Sequence, residues 1–372
     1  MRIGCVKELK KHEYRVGMTP GNAAEYCNKG HEVFVEAGLG DGSSFTDAEY
    51  GAAGAKVCAK AAEVWAAADL MIKVKEPLAA EYPLMRKNQI IYTYLHLAAD
   101  PELAKAMLDA GVTGLAYETL TDSKGGLPLL TPMSEVAGRL SVLEGAKCLE
   151  KPFGGRGVLL GGVPGTTRAK VVVLGGGVVG FNAAKIAIGF GARVVVMDVN
   201  LDRLRYLDDI FGNQIQTLYS DEQAIRNELA DADLVIGAVL IPGKSAPKLI
   251  KREYLKSMLP GSVIVDVAVD QGGCSEASHP TYHDAPTFVV DGVVNYCVGN
   301  MPGATPRTST VALTNATLRY GQLIAAAGLK KAMEKEPGIR DGVNIHNGKC
   351  THPNVALSLN LPYTPVDQAD FS

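Results

Sequence analysis

Residues 170–198 constrain the fold more than any other part of the chain. An apolar, β-branched run, Lys170–Leu174, precedes a G-x-G-x-x-G motif; an Ala-rich helical stretch follows, and a second apolar run at 193–197 ends in Asp198. The chain contains 41 glycines, so the motif alone would be weak evidence. Its context makes it specific, because strand, turn, helix, strand and acid follow in the order that dinucleotide binding requires.

The three glycines of the motif have separate physical roles. Gly175 permits the tight turn, Gly177 lets the backbone approach a pyrophosphate, and Gly180 lets the helix pack close to the strand. The helix begins at Val178 and Val179, where its N–H groups can bind phosphates. The alternative is that these glycines form only a strand-to-helix turn.

The acid after the second strand decides which cofactor is predicted. The Asp198 carboxylate would accept hydrogen bonds from ribose hydroxyls and repel a 2′-phosphate, so we predict NAD rather than NADP. Arg203 and Arg205 could hold such a phosphate, but we expect both to lie on an exposed helix face.

Apolar runs alternate with helix-like stretches along most of the chain, which is typical of parallel α/β architecture. We predict strands at residues 2–6, 33–37, 70–74, 90–95 and 113–116, then at 170–174, 193–197, 234–238, 262–267 and 287–290. We predict helices at 19–29, 60–68, 101–110, 133–149 and 308–326, followed by a polar, loop-rich tail. Asp100-Pro101 gives the third helix a start signal.

This pattern predicts an α/β fold of two Rossmann-like domains with parallel sheets and an active-site cleft between them. We expect a substrate and catalytic domain at 1–130 plus 305–372, and an NAD-binding Rossmann domain at 131–304.

Composition excludes several classes of partner. The formal net charge of −3 gives no electrostatic basis for binding nucleic acid or an anionic membrane surface. We find neither a secretory signal nor an apolar run of membrane-spanning length. The seven cysteines are scattered without a C-x-x-C pair, which favours reduced thiols in the cytoplasm over disulfides or zinc.

Four polar residues lie at or just beyond the carboxyl ends of predicted strands, where open α/β sheets bind ligands. Lys75 and His96 directly follow two strands, Asp270 lies just beyond a third, and Arg15 lies in the polar segment after the first. Each also has a structural interpretation. Lys75 could pair with Glu76, His96 could be a hydrogen-bonded structural residue, Asp270 could cap a turn, and Arg15 could be a solvated loop charge.

Several segments in the same order match a known family. They are KELK at 7–10, RV at 15–16, TP at 19–20, KVKEP at 73–77, YLHLA at 94–98, GGGVVG at 175–180, DVAVDQGG at 266–273, NMPG at 300–303 and RTST at 307–310. The chain resembles, from end to end, the alanine dehydrogenase and transhydrogenase alpha-subunit family, and within it the bacterial alanine dehydrogenases.

The resemblance implies reversible, NAD-dependent oxidation of L-alanine to pyruvate and ammonia. It implies that Arg15 and Lys75 bind substrate, that His96 and Asp270 are the catalytic pair, and that the protein is a homohexamer. It places NAD contacts at the following positions: Ser134, Asp198, Arg203, Ser220, Val239, Leu240, Val267, Ala268, Val269, Asp270, His279, Val298, Gly299, Asn300 and Met301.

The chain departs from the family at three places. His279 stands where relatives can carry arginine, and Arg203 stands where they can carry lysine, so we expect modest changes in cofactor affinity. Some relatives hold magnesium with a histidine where this chain has Ala325-Ala326-Ala327, so we expect no metal.

The expected mechanism divides the chemistry among the four polar residues. Arg15 and Lys75 hold the substrate carboxylate, and His96 moves protons, since the ordinary pKa of a histidine is roughly 6.5. Asp270 stabilises the iminium charge. The alternatives are the NAD-binding subunit of a proton-translocating transhydrogenase, a saccharopine-type dehydrogenase and a non-catalytic NAD sensor.

Overall fold

The structure, a computed structural model, describes residues 1–239 and 246–371. It divides into two compact units, one formed by Met1–Met133 with Thr305–Ser372 and the other by Ser134–Ala304. Leu240, one of the expected NAD contacts, lies outside the described residues.

Both units are built from strands flanked by helices. In the described part of the first unit the strands are β1 (Arg2–Cys5), β2 (Glu32–Glu36), β3 (Lys56–Cys58), β4 (Leu70–Ile72), β5 (Ile90–Thr93), β6 (Thr113–Ala116), β14 (Val343–His346) and β15 (Lys349–Cys350). In the second unit they are β7 (Lys170–Leu174), β8 (Arg193–Asp198), β9 (Ile215–Tyr219), β10 (Leu234–Gly237), β11 (Val263–Asp266), β12 (Thr287–Val290) and β13 (Val293–Tyr296).

The helices connect these strands. In the described residues they are α1 (Pro20–Asn28), α2 (Asp47–Ala52), α3 (Ala61–Ala67), α4 (Pro101–Ala110), α5 (Thr131–Cys148), α6 (Val178–Gly189), α7 (Leu201–Phe211), α8 (Glu222–Ala230), α9 (Arg252–Leu255), α10 (Pro306–Ala327), α11 (Leu329–Lys335), α12 (Ile339–Gly342) and α13 (Pro353–Leu359). The start of α4 is as predicted, since the Asp100 side chain accepts the Leu103 N–H and Pro101 is the first helical residue.

The sheet of the first unit has the order β15-β14-β6-β5-β4-β1-β2-β3. Strands β1 to β6 are parallel to one another and follow the doubly wound order 3-2-1-4-5-6. The order reverses between β1 and β4, which is where such sheets bind ligands. Fully buried side chains, including Trp65, Met71 and Ile91, form the core beside this sheet.

The sheet of the second unit has the order β12-β13-β11-β10-β7-β8-β9. Its six parallel strands repeat the doubly wound order, with the reversal between β7 and β10. Val172, Val235 and Ile264 lie in its core without exposed surface. The predicted class of two Rossmann-like domains is confirmed.

The structure adds antiparallel strands to the predicted parallel sheets, and it shows that the predicted tail was wrong. Both sheets are mixed rather than wholly parallel, because β12, β14 and β15 pair antiparallel with their neighbours. The segment after α10 is not a loop-rich tail, since it supplies three helices and the two strands that extend the first sheet.

Candidate functional site

In the first unit, the predicted substrate residues follow three neighbouring strands. β1 pairs with β4, and β4 pairs with β5, all in parallel. Arg15 lies in the segment after β1, Lys75 follows β4 by three residues, and His96 follows β5 by three residues. Because these strands are parallel, the segments that carry Arg15, Lys75 and His96 all leave the sheet at its carboxyl edge, beside the reversal in strand order.

Arg15 is held by a carboxylate two residues before it. The Arg15 Nε donates to Glu13 Oε1 at 2.7 Å and Nη2 donates to Glu13 Oε2 at 2.5 Å, while both side chains are buried. Burial alone would lower the pKa of Arg15, but the Glu13 charge raises it above its usual value. The guanidinium is therefore charged and fixed in direction.

A buried ion cluster supports the strand end that carries Lys75. Lys73 Nζ lies 3.1 Å from Glu8 Oε2 and 3.0 Å from Glu81 Oε1, and the Lys73 side chain has no exposed surface. Burial alone would lower the pKa of Lys73, but the two carboxylates raise it. The other oxygen of Glu8 accepts the N–H groups of Val74 and Lys75, at 2.6 and 3.3 Å.

His96 lies against a carboxylate that sequence reasoning gave no role. His96 Nδ1 lies 3.4 Å from Glu76 Oε2, and Lys10 Nζ donates to Glu76 Oε1 at 2.5 Å. Burial alone would raise the pKa of Glu76, but the hydrogen bonds to His96 and Lys10 and the charges of His96 and Lys75 hold it well below its usual value.

A second carboxylate supports the backbone of His96. His96 has a left-handed conformation, with φ 50° and ψ 31°, which is unusual for a residue other than glycine. The Glu118 carboxylate, just beyond β6, accepts the His96 N–H at 2.6 Å and the Leu95 N–H at 3.2 Å. Strained backbone held in this way is common at functional sites. The only sequence signal was one more acid after a buried strand.

In the second unit, the expected NAD contacts follow the carboxyl ends of all six parallel strands. They are Gly175, Gly177, Val178, Val179 and Gly180 after β7, Asp198 at the end of β8, Ser220 after β9, Val239 beyond β10, Val267, Ala268, Val269 and Asp270 after β11, and Val298, Gly299, Asn300 and Met301 beyond β13. Ser134 lies in the first turn of α5.

The glycine turn has the geometry that its sequence predicted. Gly175 has φ +99°, and a Cβ on Gly180 would lie 1.8 Å from the Gly175 carbonyl oxygen. A Cβ on Gly177 would meet nothing within 4 Å, so the backbone there faces open space. α6 starts immediately after Gly177 without a side-chain cap. These residues fit a dinucleotide pyrophosphate.

The residues beside this turn correct one expectation. Arg203 is not on an exposed face: it is half-buried, its Nε donates to the Gly176 carbonyl at 2.5 Å, and its guanidinium lies over the Phe181 and Tyr206 rings. Arg203 is three residues after Asn200, the N-cap of α7, so it lies in the first turn of that helix, where its side chain contacts the glycine turn. Arg205 is exposed, as expected, and pairs with Asp202.

Both carboxylate oxygens of Asp198 accept backbone hydrogen bonds at the same turn. Its Oδ2 accepts the Gly176 N–H at 2.7 Å and its Oδ1 accepts the Asn200 N–H at 2.8 Å. Each carboxylate oxygen can accept more than one hydrogen bond, so these contacts orient the acid and leave acceptor capacity for ribose hydroxyls. The contact of Asp198 with the ribose stays a prediction.

Asp270 is exposed and lies beside the segment after β13. The Asn300 N–H donates to Asp270 Oδ2 at 3.4 Å, and a Cβ on Gly299 would lie 2.8 Å from Asp270 Oδ1. The turn that carries Asp270 is organised by Asp266, a buried acid that sequence reasoning gave no role. Asp266 accepts the N–H groups of Ala268 and Cys274, at 3.1 and 2.8 Å.

His279 is exposed and stacks on Phe288 with 3.9 Å between ring centroids.

Within residues 1–239 and 246–371, no group of three or more His, Cys, Asp or Glu side chains is arranged to hold a metal ion. In the same part of the chain, no helix has the length and apolar character needed to cross a membrane.

Comparisons with known proteins agree with this architecture. The family model "Alanine dehydrogenase/PNT, N-terminal domain" matches residues 4–137, and "Alanine dehydrogenase/PNT, C-terminal domain" matches residues 141–353. The chain is 54% identical over 370 residues to the alanine dehydrogenase of Methanococcus maripaludis, covering 99% of each chain. It is also 54% identical over 370 residues to that of Bacillus subtilis, covering 99% of this chain and 97% of the relative.

Two solved structures extend the comparison. A structure titled L-alanine dehydrogenase superposes with a TM-score of 0.94 at 50% identity, covering 97% of this chain and 99% of the other. A transhydrogenase from Sinorhizobium meliloti superposes with a TM-score of 0.83 at 27% identity, covering 94% and 100%. Both matched domains and the full-length identity lead to one conclusion: the chain belongs to the alanine dehydrogenase/PNT family.

Proposed function

We propose that the chain is an NAD-dependent L-alanine dehydrogenase. In this reaction L-alanine, NAD⁺ and water give pyruvate, ammonium, NADH and a proton, and the reverse reaction aminates pyruvate. The observation that carries the proposal is the grouping of Arg15, Lys75 and His96 after three adjacent strands of the first unit. The full-length likeness to alanine dehydrogenases supports it.

The first unit, assigned as residues 1–130 plus 305–372, binds the substrate. Arg15 and Lys75 neutralise the carboxylate of alanine or pyruvate. Glu13 accepts hydrogen bonds from Nε and Nη2 of Arg15, and Nη1 donates to Met133 Sδ at 3.0 Å. A buried cation with a fixed direction, such as Arg15, binds an anion without a further cost of ordering its side chain.

His96 transfers protons to and from the substrate nitrogen and oxygen atoms. Glu76 accepts a hydrogen bond from His96 Nδ1, which leaves Nε2 as the basic nitrogen that takes up the proton. The His96 side chain is 46% exposed, so protons can pass between it and solvent. Asp270 stabilises positive charge on the substrate nitrogen.

The second unit, assigned as residues 131–304, holds the cofactor. NAD supplies the hydride acceptor when it is bound. Gly175, Gly177 and Gly180 receive its pyrophosphate at the start of α6, and Asp198 accepts hydrogen bonds from the ribose. The other contacts are Ser134, Val178, Val179, Arg203, Ser220, Val239, Leu240, Val267, Ala268, Val269, Asp270, His279, Val298, Gly299, Asn300 and Met301.

The family resemblance extends the proposal to a cytoplasmic homohexamer. Light scattering of the purified protein should give a mass six times that of one chain. A monomer or dimer that retained full activity would contradict the assembly and leave the reaction unaffected.

NADH formation tests the reaction directly. The purified chain should reduce NAD⁺ with L-alanine and oxidise NADH with pyruvate plus ammonium. Glycine, L-serine and L-lysine in place of alanine, and NADP⁺ in place of NAD⁺, are the controls. Absence of turnover in a chain that binds NAD would contradict the proposal.

A transhydrogenase subunit is the second candidate, favoured by the likeness to the Sinorhizobium meliloti structure. That function would require a partner carrying a second nucleotide site. The two candidates separate cleanly, because an isolated transhydrogenase subunit would show no alanine-dependent NADH formation.

A further inference from the structure

The RTST segment at 307–310 has no role in the reaction derived above, yet it lies at the start of α10, where the chain re-enters the first unit. Thr310 and Ser43, the latter beyond the end of β2, are both without exposed surface. Their hydroxyl oxygens lie 2.9 Å apart although they are separated by 267 positions in the sequence.

These two hydroxyls contact the backbone on both sides of Arg15. The Val16 N–H donates to Thr310 Oγ1 at 3.1 Å, and Ser43 Oγ donates to the Tyr14 carbonyl at 2.9 Å. A hydroxyl has a single proton to donate. Since Ser43 uses its proton on Tyr14, Thr310 must donate to Ser43.

The hydrogen bonds therefore form one directed chain. It runs from the Val16 N–H to Thr310, from Thr310 to Ser43, and from Ser43 to the Tyr14 carbonyl. The Val16 N–H and both hydroxyl protons each have an acceptor in it. Such a buried polar network fixes its members more firmly than isolated contacts do.

The surrounding contacts hold the Ser43 loop in place. Arg307 Nη1 donates to the carbonyls of Ser43 and Ser44, at 3.2 and 2.7 Å, and its guanidinium lies 4.0 Å from the Phe45 ring centroid. A Cβ on Gly42 would lie 2.9 Å from the Tyr14 carbonyl oxygen. The loop thus packs directly on the segment that carries Arg15.

We infer that Ser43 and Thr310 are positioning residues for the substrate site, fixing the backbone of Arg15 while Glu13 fixes its guanidinium. This inference rests on the proposed function only for the identity of the carboxylate that Arg15 binds. Neither hydroxyl touches the reacting atoms in this account. Their loss shifts the Arg15 backbone, and a shift of about 1 Å at a positioning group lowers rates by up to about a hundredfold.

The test compares Thr310→Val with two matched variants in the full-length protein. T310V keeps the side-chain shape and removes the hydroxyl, whereas T310S keeps the hydroxyl. T314V removes another buried hydroxyl from the same helix, one that donates to the Val311 carbonyl at 3.4 Å. We expect T310V to raise KM for L-alanine and pyruvate about tenfold or more, with T310S and T314V within about twofold of the original protein.

Binding of NADH is the readout that separates positioning from general damage. The Kd of NADH, from fluorescence titration, should be unchanged in T310V, because the glycine turn lies in the other unit. Equal KM values for T310V and T314V, or equal losses in substrate and NADH affinity, would overturn the inference.

Ser43→Ala provides a second route if T310V does not fold. It breaks the same chain of hydrogen bonds, so S43A should raise KM in the same way, and the S43A/T310V double variant should be little worse than the more affected single variant. Additive effects would overturn the single-network account. Failure of the proposed function is distinguishable, since the original protein would then lack alanine turnover altogether.

Discussion

At the scale of single residues, Glu76 makes stability depend on pH. Its pKa is held below its usual value, so it stabilises the fold above the pKa of an unfolded glutamate and loses this contribution as pH falls through its folded pKa. Glu76→Gln should therefore lower stability by about 1–3 kcal/mol at neutral pH. In thermal unfolding, the difference from the original protein should shrink as the pH falls below about 4. A difference unchanged down to about pH 3 would contradict this account.

Also at the scale of single residues, replacing His96 tests its role in proton transfer. His96→Ala should lower kcat by about 100- to 10,000-fold, the usual contribution of a positioned acid–base group, with the Kd of NADH unchanged. His31→Ala is the matched control, because His31 immediately precedes β2 and so lies at the opposite edge of the same sheet. Near-normal kcat in H96A would remove His96 from the mechanism.

The sequence indicated the residues expected to contact the substrate, but not the carboxylates that position His96. Arg15, Lys75 and His96 could be found because each follows an apolar run that was recognisable as a strand. Glu76 and Glu118 contact His96 from positions 20 and 22 residues away. Such pairings depend on which strands are neighbours, which one sequence does not reveal.

At the scale of elements, the glycine turn gives a matched pair of substitutions. Gly180→Ala would put a Cβ 1.8 Å from the Gly175 carbonyl oxygen, so we expect a loss of about 1–3 kcal/mol or more and weaker NADH binding. Gly189→Ala, at the end of the same helix, meets nothing within 4 Å and should be neutral or stabilising by about 0.5–1 kcal/mol. Chemical denaturation and NADH titration measure both effects. Equal stability of the two variants would contradict the close packing of turn and helix.

The elements themselves explain why some strands were not predicted from the sequence. β13 and β15 each end a hairpin, with Asp291-Gly292 and Asn347-Gly348 at the turns and positive φ at all four residues. Asp-Gly and Asn-Gly are strong hairpin signals, but a search for long apolar runs overlooks strands this short. β3 and β9 are edge strands whose side chains, apart from the buried Ile215, are half-exposed or exposed, so they lack a continuous apolar pattern.

At the scale of the whole molecule, both units use one architectural rule. Each has six parallel strands in doubly wound order, and in each the candidate functional residues follow the carboxyl ends of the strands. This rule let a sequence-based assignment of strands indicate Arg15, Lys75, His96 and Asp270, whereas most of the expected NAD contacts came from the family resemblance. The candidate substrate residues belong mainly to one unit and the glycine turn to the other, so the proposed reaction draws on both.

Transfer of deuterium from the substrate tests the central claim most directly. The purified protein would be incubated with NAD⁺ and L-alanine deuterated at Cα, and the NADH formed would be analysed by mass spectrometry. Direct hydride transfer predicts NADH that carries one deuterium at C4 of the nicotinamide, with pyruvate formed in equal amount. Unlabelled NADH, or no NADH from a chain that binds NAD, would contradict the account.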